Sequence, residues 1–257
     1  MHKSVAAKLR DGETVIGTMY SELISPAACR TARDAGFDFI VIDTEHNWAG
    51  IESVAWMCRT GRDIGLEVII RAPAFEGQWL NRYLDIGASG VLIPHVEDGE
   101  QARAIVRSIK FPPVGTRGLG GGAHRDYGPA AAADLVAWEN ENLVLVVQIE
   151  TQRGLDNRAE IMGTGGVDAL FIGPNDLALS MGYPGQLEHP AVQQAMVDIF
   201  DAAKAAGVAP GLHVFDVPTA KRWLAEGARF LCYSSDLGFI RQGSREALSR
   251  IRDGREA

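Results

Sequence analysis

Cysteine is scarce in this chain and forms no recognisable motif. The 257 residues contain three cysteines, Cys29, Cys58 and Cys232, which lie on separate apolar stretches without a CxxC spacing. An odd number of isolated thiols disfavours both a disulfide framework and a cysteine-rich zinc site. We therefore expect a protein of a reducing compartment, the cytoplasm.

Basic clusters and long apolar runs are also missing. The formal charge of −8 is spread along the chain, which disfavours nucleic acid and anionic membranes as partners. No stretch reaches the roughly 18 to 20 apolar residues of a membrane-spanning helix. The basic residues near the N-terminus are not followed by the apolar core of a secretion signal. Neither nucleic acid nor a membrane is an expected partner.

Apolar residues are abundant enough for a large core. Hydrophobic side chains make up 46% of the sequence and charged ones 23%, a composition typical of globular proteins. The length matches a (β/α)₈ barrel, which has about 250 residues. We expect residues 1–257 to form a single domain.

Short apolar runs alternate with amphipathic segments along the chain. Runs rich in Val, Ile and Leu that alternate with helices are typical of a parallel sheet buried on both faces. Eight such runs predict an α/β fold closed into a (β/α)₈ TIM barrel. The predicted strands are Val15 to Tyr20, Phe39 to Ile42, Val68 to Ile70, Gly90 to Pro94, Leu143 to Ile149, Ala169 to Ile172, Ala209 to Val214 and Arg229 to Tyr233.

The segments between these runs have helical periodicity. Most end in the small residue or glycine expected after a helix. An open doubly wound sheet is the alternative fold, but no GxGxxG loop follows the first strand. The predicted helices are Ser25 to Ala35, Ile51 to Ile64, Gln78 to Leu84, Gly99 to Ile109, Ala191 to Ala206, Pro218 to Glu226 and Ser244 to Ile251.

One long irregular segment interrupts the alternation, at about residues 111–129. It reads FPPVGTRGLGGGAHRDYGP and is rich in glycine and proline, which disfavours helix and strand. Long loops in compact domains are often functional. We interpret this one as an active-site loop, with a surface insertion as the alternative.

Two carboxylates stand at the ends of neighbouring predicted strands. Glu150 follows the fifth apolar run, and Asp176 follows the sixth after Gly173, Pro174 and Asn175. A hard divalent cation such as Mg²⁺ or Mn²⁺ is commonly held by one or two carboxylates, with water or substrate oxygens completing the coordination. The pair predicts a metal site for an oxygen-rich small molecule.

Further polar residues follow the other strands, at the barrel end where such enzymes place their chemistry. Arg71 follows the third run and is expected to bind a carboxylate or stabilise an enolate. His46 lies beside Asp43 and Glu45, a setting that orients an imidazole for proton transfer. Each of these residues also has a structural interpretation, in an ion pair or a loop hydrogen bond. Gln148, His95 and His213 also lie at strand ends, although a packed histidine is the commoner role for the last two.

Lysine and cysteine are absent from the predicted strand ends. The five lysines lie near the N-terminus or on helices, and Cys232 lies inside an apolar strand with no base beside it. Imine-forming aldolases need a lysine in the barrel mouth. A Schiff-base mechanism and a thiol nucleophile are therefore disfavoured.

Several motifs resemble the HpcH/HpaI family of class II, metal-dependent pyruvate aldolases. They are AGFDFIVIDTEH, IIRAP, FPPVGTRGLG, VVQIET and GVDALFIGPNDLALSMGYPG, and the resemblance runs from about Gly17 to the C-terminal helix. It implies a (β/α)₈ barrel that assembles as a homohexamer and reversibly cleaves 4-hydroxy-2-oxo acids to pyruvate and an aldehyde through a metal-stabilised enolate.

The same resemblance implies roles for individual residues. Glu150 and Asp176 would bind Mg²⁺, Mn²⁺ or Co²⁺, with Gln148 nearby. Arg71 would stabilise the enolate, and His46 with Asp43 would transfer protons through water. The substrate carboxylate would be received by Gly173, Pro174 and Asn175.

Four positions depart from the family pattern. Trp48, His124, Arg125 and His213 differ from the residues common in these aldolases, and we expect them to contact the acceptor aldehyde. Hydroxypyruvate could replace pyruvate for the same reason. The alternatives are a related barrel acting on a CoA thioester or a carbon–phosphorus bond, and a barrel that binds a 2-oxo acid without turnover.

Overall fold

Eight parallel strands pair in chain order, and the eighth pairs with the first. In this computed structural model, residues 3–120, 122–128 and 131–253 are described. The closed sheet confirms the predicted (β/α)₈ barrel and excludes the open-sheet alternative. The strands are β1 (Val15–Tyr20), β2 (Phe39–Asp43), β3 (Glu67–Arg71), β4 (Gly90–Ile93), β5 (Val144–Ile149), β6 (Ala169–Ile172), β7 (Gly211–Val214) and β8 (Phe230–Ser235).

Strand side chains divide between two cores, because successive residues point to opposite faces of a sheet. One face packs against the surrounding helices and includes Ile40, Ile70 and Leu145. The other fills the barrel interior, where the rings of Phe39 and Phe230 stack with their centroids 4.4 Å apart. The interior is therefore a packed core below the site, as expected for this fold.

The helices are more numerous than the sequence pattern predicts. The first helix packs Val5, Ala6 and Leu9 against the interior core. The described α-helices are α1 (Val5–Arg10), α2 (Pro26–Asp34), α3 (Ile51–Ile64), α4 (Gly77–Asp85), α5 (Gly99–Ile109), α6 (Ala132–Asn142), α7 (Gln152–Asp156), α8 (Arg158–Met162), α9 (Pro174–Ser180), α10 (Pro190–Ala205), α11 (Val217–Ala225) and α12 (Asp236–Asp253). Within the described residues, no helix is both long and apolar enough to cross a bilayer.

The glycine-rich segment lies at the N-terminal end of the barrel, away from the cavity at the strand C-termini. It follows α5, which returns the chain to that end, and its described residues include a short 3₁₀ turn, Ala123–Arg125. Arg62, near the end of α3, donates to the carbonyl of His124 and to Asp126. The interpretation as an active-site loop therefore does not hold within one chain, because the connection from α5 through α6 to β5 lies at the barrel end opposite the chemistry.

Candidate active site

A cavity of about 290 Å³ opens at the C-terminal ends of the strands. This is the end at which barrel enzymes carry their catalytic residues, and the volume suits a small molecule. The lining combines charged side chains with aromatic rings and hydroxyls. It consists of Met19, Ser21, Asp43, His46, Arg71, Gln148, Phe171, Gly173, Pro174, Asn175, Asp176, His213, Phe215 and Ser235.

Arg71 and Asp43 form a two-pronged ion pair at the ends of β3 and β2. Arg71 Nε lies 2.9 Å from Asp43 Oδ1, and Nη2 lies 2.6 Å from Oδ2. Burial opposes the charge of Arg71, but the hydrogen bond with Asp43 and the nearby Glu45 and Glu150 charges outweigh it and raise its pKa. Burial likewise opposes ionisation of Asp43, while Arg71 lowers its pKa overall. Arg71 is thus a fixed cation in the cavity wall.

Glu45 is an acidic neighbour of both histidines at this end. Its side chain is largely buried, with Arg71 Nη1 at 3.4 Å, His95 Nε2 at 3.6 Å and His46 Nε2 at 3.7 Å. The side chain of His46 is 67% exposed. Asp43 accepts from the backbone N–H of His46 and makes no hydrogen bond to its ring within the described residues. Of the two acids beside His46, Glu45 lies nearer its imidazole.

Glu150 is buried and held by two donors. Its carboxylate accepts from the backbone N–H of His95 at 3.0 Å and from the side-chain amide of Gln148. Burial, with a further contribution from the charge of Asp176, raises the pKa of Glu150. The other amide atom of Gln148, Oε1, is buried without a hydrogen-bond partner among the described residues. An unpaired buried acceptor is costly, so a cation or donor placed beside it would relieve that cost.

Gly173 allows β6 and α9 to approach Glu150 closely. A Cβ at this position would lie 2.3 Å from Glu150 Oε2 and 2.9 Å from Gln148 Nε2. Pro174 then begins α9 without an N–H of its own, and the N–H groups of Asn175 and Asp176 precede the first i−4 hydrogen bond, from Leu177 to Gly173. Free N–H groups at a helix start favour anions. The segment therefore combines an acidic side chain with donors for a carboxylate.

The donor set fits a hard divalent cation shared with a ligand. Glu150 and Asp176 supply carboxylate oxygens, and the charge of Asp176 contributes to the raised pKa of Glu150. Gln148 supplies an unpaired carbonyl oxygen. In the described part of the chain, no group of three or more His, Cys, Asp and Glu side chains could hold a metal by itself. Mg²⁺ and Mn²⁺ are suited to a small carboxylate set completed by water or substrate oxygens.

Most predicted site residues line this cavity, Glu150 lies beside it against Gln148, and three lie elsewhere. Trp48 is outside the cavity lining and 73% exposed, and its ring nitrogen donates a hydrogen bond to Glu22. His124 is buried at the other end of the barrel, where its Nδ1 lies 2.7 Å from Glu139 Oε1, and Arg125 belongs to the same turn. We expected His124 and Arg125 to contact the aldehyde. Their position at the opposite end of the barrel corrects that expectation within one chain.

The sequence pattern also missed several residues that line the cavity. Met19 and Phe171 belong to strands, and Ser21, Phe215 and Ser235 stand at or just beyond strand ends. The alternation of side chains along β1 and β6 points Met19 and Phe171 inward. That signal was available, but an apolar residue in a strand is ordinarily assigned to the core.

The fold and this cavity define a (β/α)₈-barrel protein with an acidic, arginine-containing site at the strand C-termini. Residues 17–242 match the family model described as HpcH/HpaI aldolase/citrate lyase. The chain belongs to the HpcH/HpaI aldolase/citrate lyase family.

Related proteins agree with this family membership. A curated relative from Shigella dysenteriae serotype 1, named 5-keto-4-deoxy-D-glucarate aldolase, is 37% identical over 227 residues, covering 88% of each chain. An HpcH/HpaI aldolase from Desulfitobacterium hafniense DCB-2 superposes with a TM-score of 0.92 at 31% identity, covering 97% of each chain. A family protein from Burkholderia cenocepacia J2315 gives a TM-score of 0.90 at 34% identity, covering 97% of this chain and 99% of that one.

Proposed function

We propose that this protein is a class II aldolase that reversibly cleaves 4-hydroxy-2-oxo acids to an aldehyde and pyruvate or hydroxypyruvate. The observation that carries the proposal is the convergence of Arg71, Glu150 and Asp176 at one end of the barrel. The relatives named 5-keto-4-deoxy-D-glucarate aldolase support the reaction class.

The reaction requires stabilisation of negative charge on a ketone oxygen. In cleavage, the C4 hydroxyl loses its proton, the C3–C4 bond breaks, and its electron pair moves into an enolate of the 2-oxo acid. Arg71 is already fixed by Asp43, so it can stabilise this charge with little reorganisation. A divalent cation held by Glu150 and Asp176 would supply Lewis acidity at the ketone oxygen.

The start of α9 provides a binding site for the substrate carboxylate. Backbone N–H groups of Asn175 and Asp176 face the helix N-terminus, where negative charge is favoured. Fixing the carboxylate beside the acidic pair orients C3 of the substrate toward the remaining cavity wall. Positioning of this kind is a large part of what an active site contributes.

Proton transfer is assigned to His46, whose ring lines the cavity. Imidazole is the side chain used most often as acid and base near neutral pH. Its exposure leaves room for water to carry the proton to the substrate, and Glu45 Oε2 lies 3.7 Å from its Nε2. Asp43 contributes indirectly by fixing Arg71 and the backbone at His46.

We also propose that the protein is a cytoplasmic homo-oligomer, with a hexamer as the expected state. The last helix supports assembly because Leu237, Ile240, Leu248 and Ile251 are each at least 40% exposed, and large exposed apolar patches mark interaction surfaces. The three cysteines are free thiols, which suits a reducing compartment.

Exchange of pyruvate protons tests the enolate half-reaction without knowledge of the aldehyde. Proton NMR in D₂O would follow loss of the methyl signal with Mg²⁺ or Mn²⁺ and again with excess EDTA. The proposal expects exchange that requires both enzyme and metal. Metal-independent exchange, or none with either pyruvate or hydroxypyruvate, would contradict it.

A further inference from the structure

His213 is the one histidine carried by a barrel strand of the described chain. It lies in β7, opposite Cys232 of β8, and lines the cavity. Arg71 and Asp43 line the same cavity. The position of His213 is on the wall formed by β7 and β8, next to the wall that carries Asp176.

The tautomer of His213 follows from its hydrogen bond. Nε2 lies 2.8 Å from the backbone carbonyl oxygen of Ser234, and a carbonyl only accepts, so Nε2 carries the proton. Ser234 has a left-handed backbone, with φ of 56°, at an irregularity in the pairing of β1 with β8. The local backbone thus fixes the ring by one nitrogen.

The other ring nitrogen, Nδ1, is consequently a hydrogen-bond acceptor. It has no hydrogen-bond partner among residues 3–120, 122–128 and 131–252. Burial lowers the pKa of His213 to about 4, so the ring is neutral at physiological pH and Nδ1 remains an acceptor. The ring of Phe215 lies 4.3 Å from that of His213 and that of Phe171 lies 6.5 Å away, and neither can satisfy it.

The wall that carries His213 also carries hydroxyl groups, on the side of the cavity away from the acidic pair. Ser21 and Ser235 line it together with His213, whereas the acidic pair belongs to the ends of β5 and β6. An acceptor molecule between these walls would meet Arg71 and the carboxylates on one side and, on the other, a neutral surface in which His213, Ser21 and Ser235 are the polar groups beside Phe215. A hydroxylated aldehyde matches that surface better than an alkyl aldehyde.

We propose that His213 Nδ1 accepts a hydrogen bond from a hydroxyl group of the aldehyde, and that it thereby selects hydroxyaldehydes over their deoxy analogues. In the cleavage direction, the preferred substrates are 4-hydroxy-2-oxo acids with a further hydroxyl beyond C4. This selection rests on the proposed aldolase function. His213 is half-buried at the cavity, so a ligand that covers Nδ1 without pairing it leaves this acceptor unsatisfied, which disfavours the deoxy analogue.

Paired variants test the role of Nδ1 separately from the shape of the cavity. Asparagine places a polar atom near the position of Nδ1, and glutamine places one near Nε2. The measurement is the ratio of kcat/KM for glyceraldehyde to that for propionaldehyde, with pyruvate as the donor. Because the ratio is the readout, a general loss of enolate formation cancels.

The proposal expects His213→Gln and His213→Leu to lower the ratio roughly tenfold, in line with the loss of one hydrogen bond, mainly through KM for glyceraldehyde. His213→Asn is expected to keep most of the selectivity. Phe215→Leu is the control, because it alters the same wall without removing an acceptor, and its ratio should stay within about twofold. Equal ratios in His213→Gln and the wild-type enzyme would overturn the proposal.

Nitrogen-15 NMR of histidine-labelled enzyme provides a second readout that does not depend on activity. The His213 signals, assigned by their absence in His213→Asn, should show a protonated Nε2 and an unprotonated Nδ1. The reverse tautomer would overturn the proposal. Proton exchange in the wild-type enzyme distinguishes the two failures. No exchange with either pyruvate or hydroxypyruvate refutes the aldolase function, whereas exchange with unchanged ratios in the variants refutes only the role of His213.

Discussion

The Arg71–Asp43 pair shows how a single interaction can serve both structure and chemistry. Both side chains are mostly buried, and the guanidinium makes two hydrogen bonds to one carboxylate. Breaking such a pair leaves a buried charge uncompensated. Sequence spacing predicted both residues at the strand ends, but it could not show that Asp43 binds Arg71 rather than the His46 ring.

Replacing Arg71 tests whether the site needs a guanidinium group that Asp43 holds in place through two nitrogens. Arg71→Lys keeps the positive charge but cannot hold Asp43 through two nitrogens and also face the substrate. We expect kcat to fall about 100-fold, comparable to the loss of one preorganised donor to a developing oxyanion. Steady-state kinetics with Arg153→Lys, an exposed arginine paired with Asp98, provides the control. Activity within threefold of the wild-type enzyme in Arg71→Lys would contradict the assigned role.

Glu67 at the start of β3 makes stability depend on pH. Burial raises the pKa of Glu67 to about 7, and its Oε2 has no hydrogen-bond partner in the described chain. Between the ordinary glutamate pKa, about 4.3, and this raised value, the folded state binds more protons than the unfolded state. The free energy of unfolding therefore decreases as pH rises through that interval.

Glu67→Gln removes this titration. We expect the free energy of unfolding of the variant, relative to that of the wild-type protein, to rise by roughly 2 kcal/mol between pH 5 and pH 8. The estimate uses about 1.4 kcal/mol per pKa unit and allows for relaxation. Urea unfolding at a series of pH values measures it, with the exposed Glu76→Gln as control. Parallel curves for Glu67→Gln and the wild-type protein would refute the assignment.

At the scale of elements, the barrel was predictable and the short helices were not. Runs of Val, Ile and Leu identify the strands because a parallel sheet is buried on both faces. Helices α7, α8 and α9 have five to seven residues, too few for a periodic pattern. The loop at 111–129 was misplaced because length and glycine content do not reveal which barrel end a loop occupies. That is decided by whether a helix or a strand precedes it.

Gly173 tests the close contact between β6 and β5. In Gly173→Ala, the added Cβ would lie within 3 Å of Glu150 Oε2 and Gln148 Nε2, so the buried carboxylate must move. We expect Mn²⁺ affinity, measured by titration calorimetry, to fall at least about tenfold, the lower range seen when metal-orienting partners are disturbed. Gly50→Ala is the matched control, because Gly50 also precedes a helix and has open space around its Cβ position. Equal affinity in both variants would contradict the account.

At the scale of the whole molecule, α12 is the described element that the rest of the chain covers least. Its residues from 240 to 252 are exposed along their length, and an apolar hollow beside it is lined by Leu23, Phe37, Phe239 and Ile240. The sequence pattern predicted a final helix that begins at Ser244, whereas the helix begins at Asp236. Gly238 and Gly243 interrupt the pattern between these two positions. Burial against another copy would explain why this face is apolar.

Ile240→Glu tests that explanation. A charge in a buried interface is costly, so we expect the variant to dissociate at concentrations where the wild-type protein is an oligomer. Gel filtration with light scattering gives the mass, and Gln242→Glu adds the same charge to the same exposed helix as a control. A monomeric wild-type protein would exclude the proposed assembly.

The central claim is that Glu150 helps hold the cation that makes enolate formation possible. Its most direct test is Mn²⁺-dependent exchange of pyruvate methyl protons in Glu150→Gln, compared with Glu97→Gln, which alters a nearby carboxylate bonded to Thr151. The account predicts at least about a 100-fold loss of exchange in the first variant, of the size found for a lost electrostatic group at a developing oxyanion, and near wild-type exchange in the second. Full metal-dependent exchange in Glu150→Gln would contradict it.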